Sequence, residues 1–304
     1  MLKNNIYFII LIFCFAAQTL QAQTTKRLNN DWEFVKQDLG GVWEALRPVK
    51  AGNPEELPFW QKVTLPHCFN ATDAVDPDVN YYQGPGWYRT HLKIDNPYQN
   101  GRTILHFEGA GQKTQVYVYN IKVGEHVGGY DEFTIDITDA IAAFKKDTVF
   151  KGRFNGQIPI AIRCDNSRDL EMIPSDLSDF NVYGGIYRYL NIVYNPQVSF
   201  DKLFALASFN EVDGSGKLKI TARLNDFKIS TNAQLKINIT DPKGLNVLSL
   251  SKNITTFKTD SIILDWSLKS PQLWSTENPQ QYTVMVDIIA NGQKSTITEK
   301  FGFR

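Results

Sequence analysis

A two-residue repeat constrains this chain more than any other feature. In KLKITARLN (217–225), Leu218, Ile220, Ala222 and Leu224 fall on one side and Lys219, Thr221 and Arg223 on the other. Successive side chains of a strand point to opposite faces, whereas a helix would scatter these apolar groups around its circumference. The same alternation runs through RTILHFEGAG (102–111), TQVYVYN (114–120), EFTIDIT (132–138), QIPIAIRC (157–164), IYRYLNIVY (186–194), QLKINIT (234–240) and SIILDWSL (261–268). No long amphipathic helix and no internal repeat competes with it. The expected fold class is all-β.

The strands form two series. The earlier has uneven loops and bulky side chains, and fits an N-terminal jelly-roll (galactose-binding-like) sandwich over 23–195. The later is more regular, closes on a hairpin about Asn291-Gly292 suited to a type I′ turn, and fits an immunoglobulin-like β-sandwich over 196–300. Pro196 marks the join, because proline cannot donate to a ladder. The loop from Asp165 to Gly185 is long for a compact domain, and such loops are usually functional or ligand-facing.

Residues 1–22 read as an export signal: Lys3, the apolar run IYFIILIFCFAA (6–17), then small-residue cleavage after LQA. The run is well short of the ~20 residues that span a bilayer, so no membrane span is expected. The expected location is exported, periplasmic or extracellular. Without Lys3 the formal charges of 32 basic and 32 acidic groups become nearly balanced at one net negative, which excludes a nucleic-acid footprint. Cys68 and Cys164 would remain. Two readings stay open for them: a disulfide, or burial as apolar filler.

The densest chemistry lies in three stretches, WQKVTLPHCFNATDA (60–74), YYQGPGWYRTHLKI (81–94) and SDLSDFNVYGGIYR (175–188). Tyr81, Tyr82, Trp87 and Tyr88 offer flat rings, and Asp73, Asn80 and Asp179 offer hydrogen-bonding groups. A sugar needs both, since its C–H faces pack on rings while its hydroxyls must be satisfied once water leaves. The plainer reading is that the rings fill the sandwich interior and Gly84-Pro85-Gly86 is only a turn. His67, His91, His106 and His126 lie in different stretches without ligand spacing, so neither metal nor cofactor is expected. Arg89 and Arg188, each following a Tyr, are expected to clamp carboxylates or carbonyls. Gly128-Gly129 and Gly184-Gly185 are expected to mark positive φ or close approach. Asn210-Glu211 precedes Asp213-Gly214 and is expected to be a solvated turn.

LPHCFNATDA, YYQGPGWYR, VGGYDEFTIDIT and DFNVYGGIYR, in that order, resemble the N-terminal sugar-binding domain of glycoside hydrolase family 2, which holds β-galactosidases, β-glucuronidases and β-mannosidases. SPQLWSTENPQQY (270–282) is similar to the signature of that family's immunoglobulin-like domain. FGFR (301–304) resembles the stub of the junction to a catalytic (β/α)8 barrel. The resemblance implies a retaining mechanism with two glutamates on barrel strands, about 5 Å apart, both beyond Arg304. It follows that this chain alone is expected to be inactive, with no catalytic residue of its own. The implied partner is a β-linked glycan or glycoside, and the implied lean is towards a β-galactosidase-like member. By the same resemblance Asp179 reaches the terminal sugar, with Asn80 a looser candidate. A free-standing carbohydrate-binding or scaffold module without hydrolytic activity is the alternative.

Overall fold

The computed structural model describes residues 23–47, 60–76, 78, 80–175, 180–225, 232–255 and 260–304. The export signal expected at 1–22 lies outside the described residues, as does Asp179.

Among the described residues the first unit holds two stacked antiparallel sheets. One contains β1 (Thr24–Arg27), β6 (Arg102–Phe107), β9 (Phe133–Asp136) and β12 (Leu190–Asn195), in the order β1-β12-β6-β9. The other contains β2 (Trp32–Val35), β3 (Gln61–Val63), β5 (Pro85–Leu92), β7 (Lys113–Val118), β8 (Ile121–Val127) and β10 (Ile158–Asp165), in the order β3-β2-β5-β10-β7-β8. A small ladder pairs β4 (His67–Cys68) with β11 (Gly185–Ile186). The core forms where the alternation says it should: Leu105, Phe107 and Ile192 from one sheet meet Tyr88, Val116, Ile160 and Ile162 from the other.

Strand β5 is buried along most of its length because both its faces are covered. Tyr88 points into the core, while Trp87 packs with Val35, Ala45 and Ala161 beneath the short helix α1 (Val42–Leu46). The amphipathic helix α2 (Thr138–Lys146), with Ala140, Ile141 and Phe144 buried, closes one end and leads into α3 (Thr148–Arg153). At nine residues α2 is too short to dominate the sequence pattern.

IYRYLNIVY does not form one strand. Its first part pairs with β4 and its second with β6, because the backbone between them leaves the ladder. There Arg188 N–H donates to Gly109 O at 3.3 Å and Glu108 N–H to Tyr189 O at 3.0 Å.

The second unit is a sandwich of three strands on four. β13 (Phe200–Asn210), β14 (Ser215–Leu224) and β17 (Ser261–Lys269) form one sheet. β15 (Ala233–Thr240), β16 (Asn246–Ile254), β18 (Tyr282–Ala290) and β19 (Gln293–Phe301) form the other. Leu218, Ile220, Ala222 and Leu224 are buried against Leu235, Ile237, Val284 and Val286, as the alternation predicts. The hairpin at Asn291 (φ 52°) and Gly292 (φ 73°) has the positive angles of a type I′ turn. Asn210-Glu211 sits in the β13–β14 turn, where Asn210 Oδ1 accepts Val212 N–H at 2.9 Å.

Residues 301–304 pack into this sandwich. Phe303 is fully buried between Tyr282 and Phe301, with ring centroids 5.2 and 5.5 Å away. Trp274 N–H donates to Phe303 O at 2.9 Å, and Phe209 N–H to Arg304 O at 3.2 Å. The two units meet where Gln293 Nε2 donates to Gln99 O at 3.2 Å.

Candidate functional site

Ladder register brings the motif-bearing loops to one end of the first sandwich. Pro85 stands opposite Asp165, Asp165 opposite Lys113, and Lys113 opposite Val127. The loops before β5, after β10, before β7 and after β8 therefore share an edge, joined there by the β4–β11 ladder.

Two buried asparagines tie this edge together. Asn166 Oδ1 accepts Gly84 N–H at 2.9 Å, and its Nδ2 donates to Tyr82 O and Val182 O, both at 2.7 Å. Asn70 Oδ1 accepts Gly184 N–H at 2.9 Å, while its Nδ2 donates to Val182 O at 2.9 Å and Asn181 Oδ1 at 3.1 Å. Asp73 adds one more bond, accepting Tyr82 N–H at 2.7 Å. Backbone polar groups removed from water must be paired, and irregular loops have no ladder to do it. Primary amides, with both donors and acceptors, can stand in for that ladder.

Gly185 shows how tight the packing is. Its φ is +115°, and a Cβ there would lie 2.5 Å from Tyr88 Oη and 2.6 Å from His67 O. Beside it a Cβ on Gly184 would collide with the Phe69 ring. The Tyr88 hydroxyl donates to His67 O at 3.2 Å and stands 2.9 Å from His67 Nδ1. Burial holds the His67 pKa below the ordinary histidine value and lifts that of Tyr88 well above the usual tyrosine value. On the neighbouring loop the Tyr187 hydroxyl donates to Gly129 O, and Gly128 has φ +132°. Gln112 lies buried beneath Gly129, which has no room for a Cβ.

Around this rigid floor stands an exposed rim of Tyr81, Tyr130, Ile173, Phe180 and Tyr183. A hollow of about 430 Å³ runs between Val127–Asp131 and Glu171–Ile173. Rings beside carboxylates suit a hydroxylated ligand. The carboxylates with displaced pKa values among the described residues, Glu125, Asp169, Asp213 and Glu277, are all held below the usual range, chiefly by hydrogen bonds. A general acid needs displacement the other way.

Within these loops the sequence reading did not separate rim from core. Trp87 and Tyr88 are interior, as the plainer reading held, whereas Tyr81 is exposed and Tyr82 half-buried with its ring edge-on to Phe69. Asp73 is buried and structural rather than ligand-facing. Asn80 is exposed in the loop that leads to Tyr81. Arg89 clamps Glu33 at 2.6 Å and the carbonyls of Ala45 and Arg47, and it lies over the Trp60 ring at 4.1 Å. Arg188 is exposed and makes no such clamp among the described residues; its side-chain methylenes pass over Gly109. Cys68 and Cys164 are both free thiols. Asn70, Asn166, Tyr130 and Tyr183 were missed. Asn70 lies inside the LPHCFNATDA motif, where nothing local marks it as buried.

The comparisons agree with this arrangement. The sequence model for "Glycosyl hydrolases family 2, sugar binding domain" matches residues 51–196, and that for "Glycosyl hydrolases family 2" matches 198–304. The solved apo structure of Bacteroides uniformis β-glucuronidase 3 is 53% identical, with a TM-score of 0.82, over 92% of this chain and 35% of its own. A Formosa agariphila protein is 30% identical over 292 residues, which is 95% of this chain and 32% of the relative. A β-galactosidase of Thermoanaerobacter pseudethanolicus is 28% identical over 91% of this chain and 35% of its own length. The chain thus spans about a third of the length of the relatives it matches. With both family models matched in order, on two β-sandwiches whose motif loops converge at one edge, the chain belongs to glycosyl hydrolases family 2, of which it carries the sugar-binding and immunoglobulin-like domains.

Proposed function

We propose that this chain is the sugar-facing, non-catalytic part of an exported β-glycosidase that acts on β-glucuronides. The observation that carries the reading is the convergence of the motif loops on one rigid edge with an exposed aromatic rim. The preference for a glucuronide over the galactoside first expected rests on identity. The β-glucuronidase structure is 53% identical, whereas the β-galactosidase relative is 28% identical. In this reading Asp179 and Asn80 contact the terminal sugar, and bond cleavage belongs to carboxylates outside these two sandwiches. Export rests on the sequence of residues 1–22 alone.

The test is a titration of the chain with methyl β-D-glucuronide and methyl β-D-galactoside, followed by NMR. Shifts of the loop-edge resonances that favour the glucuronide and are lost in Tyr183→Ala and Asp179→Ala support the proposal. Loop-edge shifts that ignore both substitutions would remove its basis.

A further inference from the structure

The opposite end of the first sandwich carries a groove that none of these roles uses. Strands β5 and β10 run the whole way to it: Pro85 faces Asp165 at one end and Leu92 faces Ile158 at the other. At ~3.3 Å per residue the two ends stand roughly 20 Å apart. Two adjoining hollows there, of about 200 and 230 Å³, share Leu46, Arg47, Arg153 and Phe154. Joined, they fall within the ~300–1,000 Å³ of small-ligand sites.

The walls combine rings with positive charge. Trp43 is 55% exposed and meets Tyr119 edge-on, centroids 5.7 Å apart. Phe154 lies against His91 at 5.3 Å. Arg47 pairs with Glu44 at 2.8 Å, whereas Arg153 has no carboxylate partner among the described residues. Arg89 lies deeper and is already engaged by Glu33 and two carbonyls. The lining thus holds three arginines against the single carboxylate of Glu44, on a chain whose formal net charge is zero. An exposed indole wastes no contact if a pyranose packs its C–H face there, and a guanidinium matches a carboxylate with two parallel bonds.

We propose that this groove is a second binding site, for a carboxylate-bearing sugar, with Trp43 under the ring and Arg153 and Arg47 on the carboxylate. The site goes beyond the proposed function and does not rest on it, since it needs only these side chains. Both Trp43 and Arg153 are exposed, so replacing them leaves the core intact.

Calorimetric titration of the full chain with methyl β-D-glucuronide, methyl β-D-glucoside and sodium sulfate tests it. The expected result is millimolar glucuronide binding, with the glucoside about tenfold weaker for want of the charge-assisted bonds. Trp43→Ala and Arg153→Gln should each weaken the glucuronide at least about fivefold at an unchanged unfolding midpoint. Tyr183→Ala, at the loop edge, should leave the part of this binding that depends on Trp43 and Arg153 as it is. No binding of glucuronide, equal binding of the glucoside, or sulfate binding as tightly as the sugar would each overturn the site. So would glucuronide binding that vanishes in Tyr183→Ala and survives Trp43→Ala, which would instead belong to the loop edge.

Discussion

Asn70 and Gly184 stand 114 residues apart in sequence, yet the Gly184 N–H donates to Asn70 Oδ1 at 2.9 Å inside the protein. This bond extends the β4–β11 pairing into the loops that flank it, where a side chain takes over from the ladder. Asn70→Ala orphans the buried Gly184 N–H, and each such group costs about 1–3 kcal/mol. We expect about 2–4 kcal/mol lost in urea unfolding, with Asn80→Ala, on the exposed part of the same loop, within about 0.5 kcal/mol of the parent. Equal midpoints for the two variants would contradict the role given to Asn70.

Phe303 gives the matching prediction for the second sandwich. Its ring is fully buried, and a Cβ on Gly216 would lie 2.6 Å from it. Phe303→Ala should cost about 3–5 kcal/mol through lost burial and a cavity. Chemical denaturation measures this directly. A loss below about 1 kcal/mol would mean that residues 301–304 are appended to the sandwich and not built into it.

How much of this was legible beforehand differs between the two units. In the second, each strand has one wet face, so Leu218 to Leu224 and Leu235 to Ile239 announce both strand and core. In the first, α1 covers the outer face of β5, so Trp87 and Tyr88 are both buried and alternation no longer separates core from rim. That is why interior rings were candidates for sugar contact. The break at Tyr187–Tyr189 was hidden for another reason: IYRYLNIVY keeps its period while changing sheets. The loop edge was legible as motifs but not as mechanism. An asparagine that bonds across more than a hundred residues leaves no local pattern.

Acid should loosen the first sandwich. Burial lowers the pKa of His67, and burial with the nearby Arg89 lowers that of His91. The folded chain therefore binds fewer protons at these positions than the unfolded chain, whose histidines titrate near ~6.5. Stability then rises with pH through this range. The contribution is present above about pH 6.5 and is lost as pH falls through the lowered folded values. Unfolding free energies from pH 7.5 down to 5 should fall, and less steeply in a His67→Gln/His91→Gln variant. Parallel curves would exclude these two histidines as the cause.

The thiols provide a chemical check on packing. Cys164 is fully buried with its pKa pushed up to about 12, and half-buried Cys68 is also pushed up, mainly by desolvation. Thiolate is the reactive form, so native Cys164 should resist a disulfide reagent at pH 8 and react only on unfolding. Labelling followed by peptide mass spectrometry reads both sites. A Cys68–Cys164 disulfide in the purified chain would contradict the structure.

The most direct test is incubation of the purified chain with 4-nitrophenyl β-D-glucuronide and β-D-galactoside. The account predicts no nitrophenolate above the blank, because it assigns bond cleavage to carboxylates outside these two sandwiches. Release that disappears when one carboxylate of this chain, such as Glu171, is changed to its amide would contradict it.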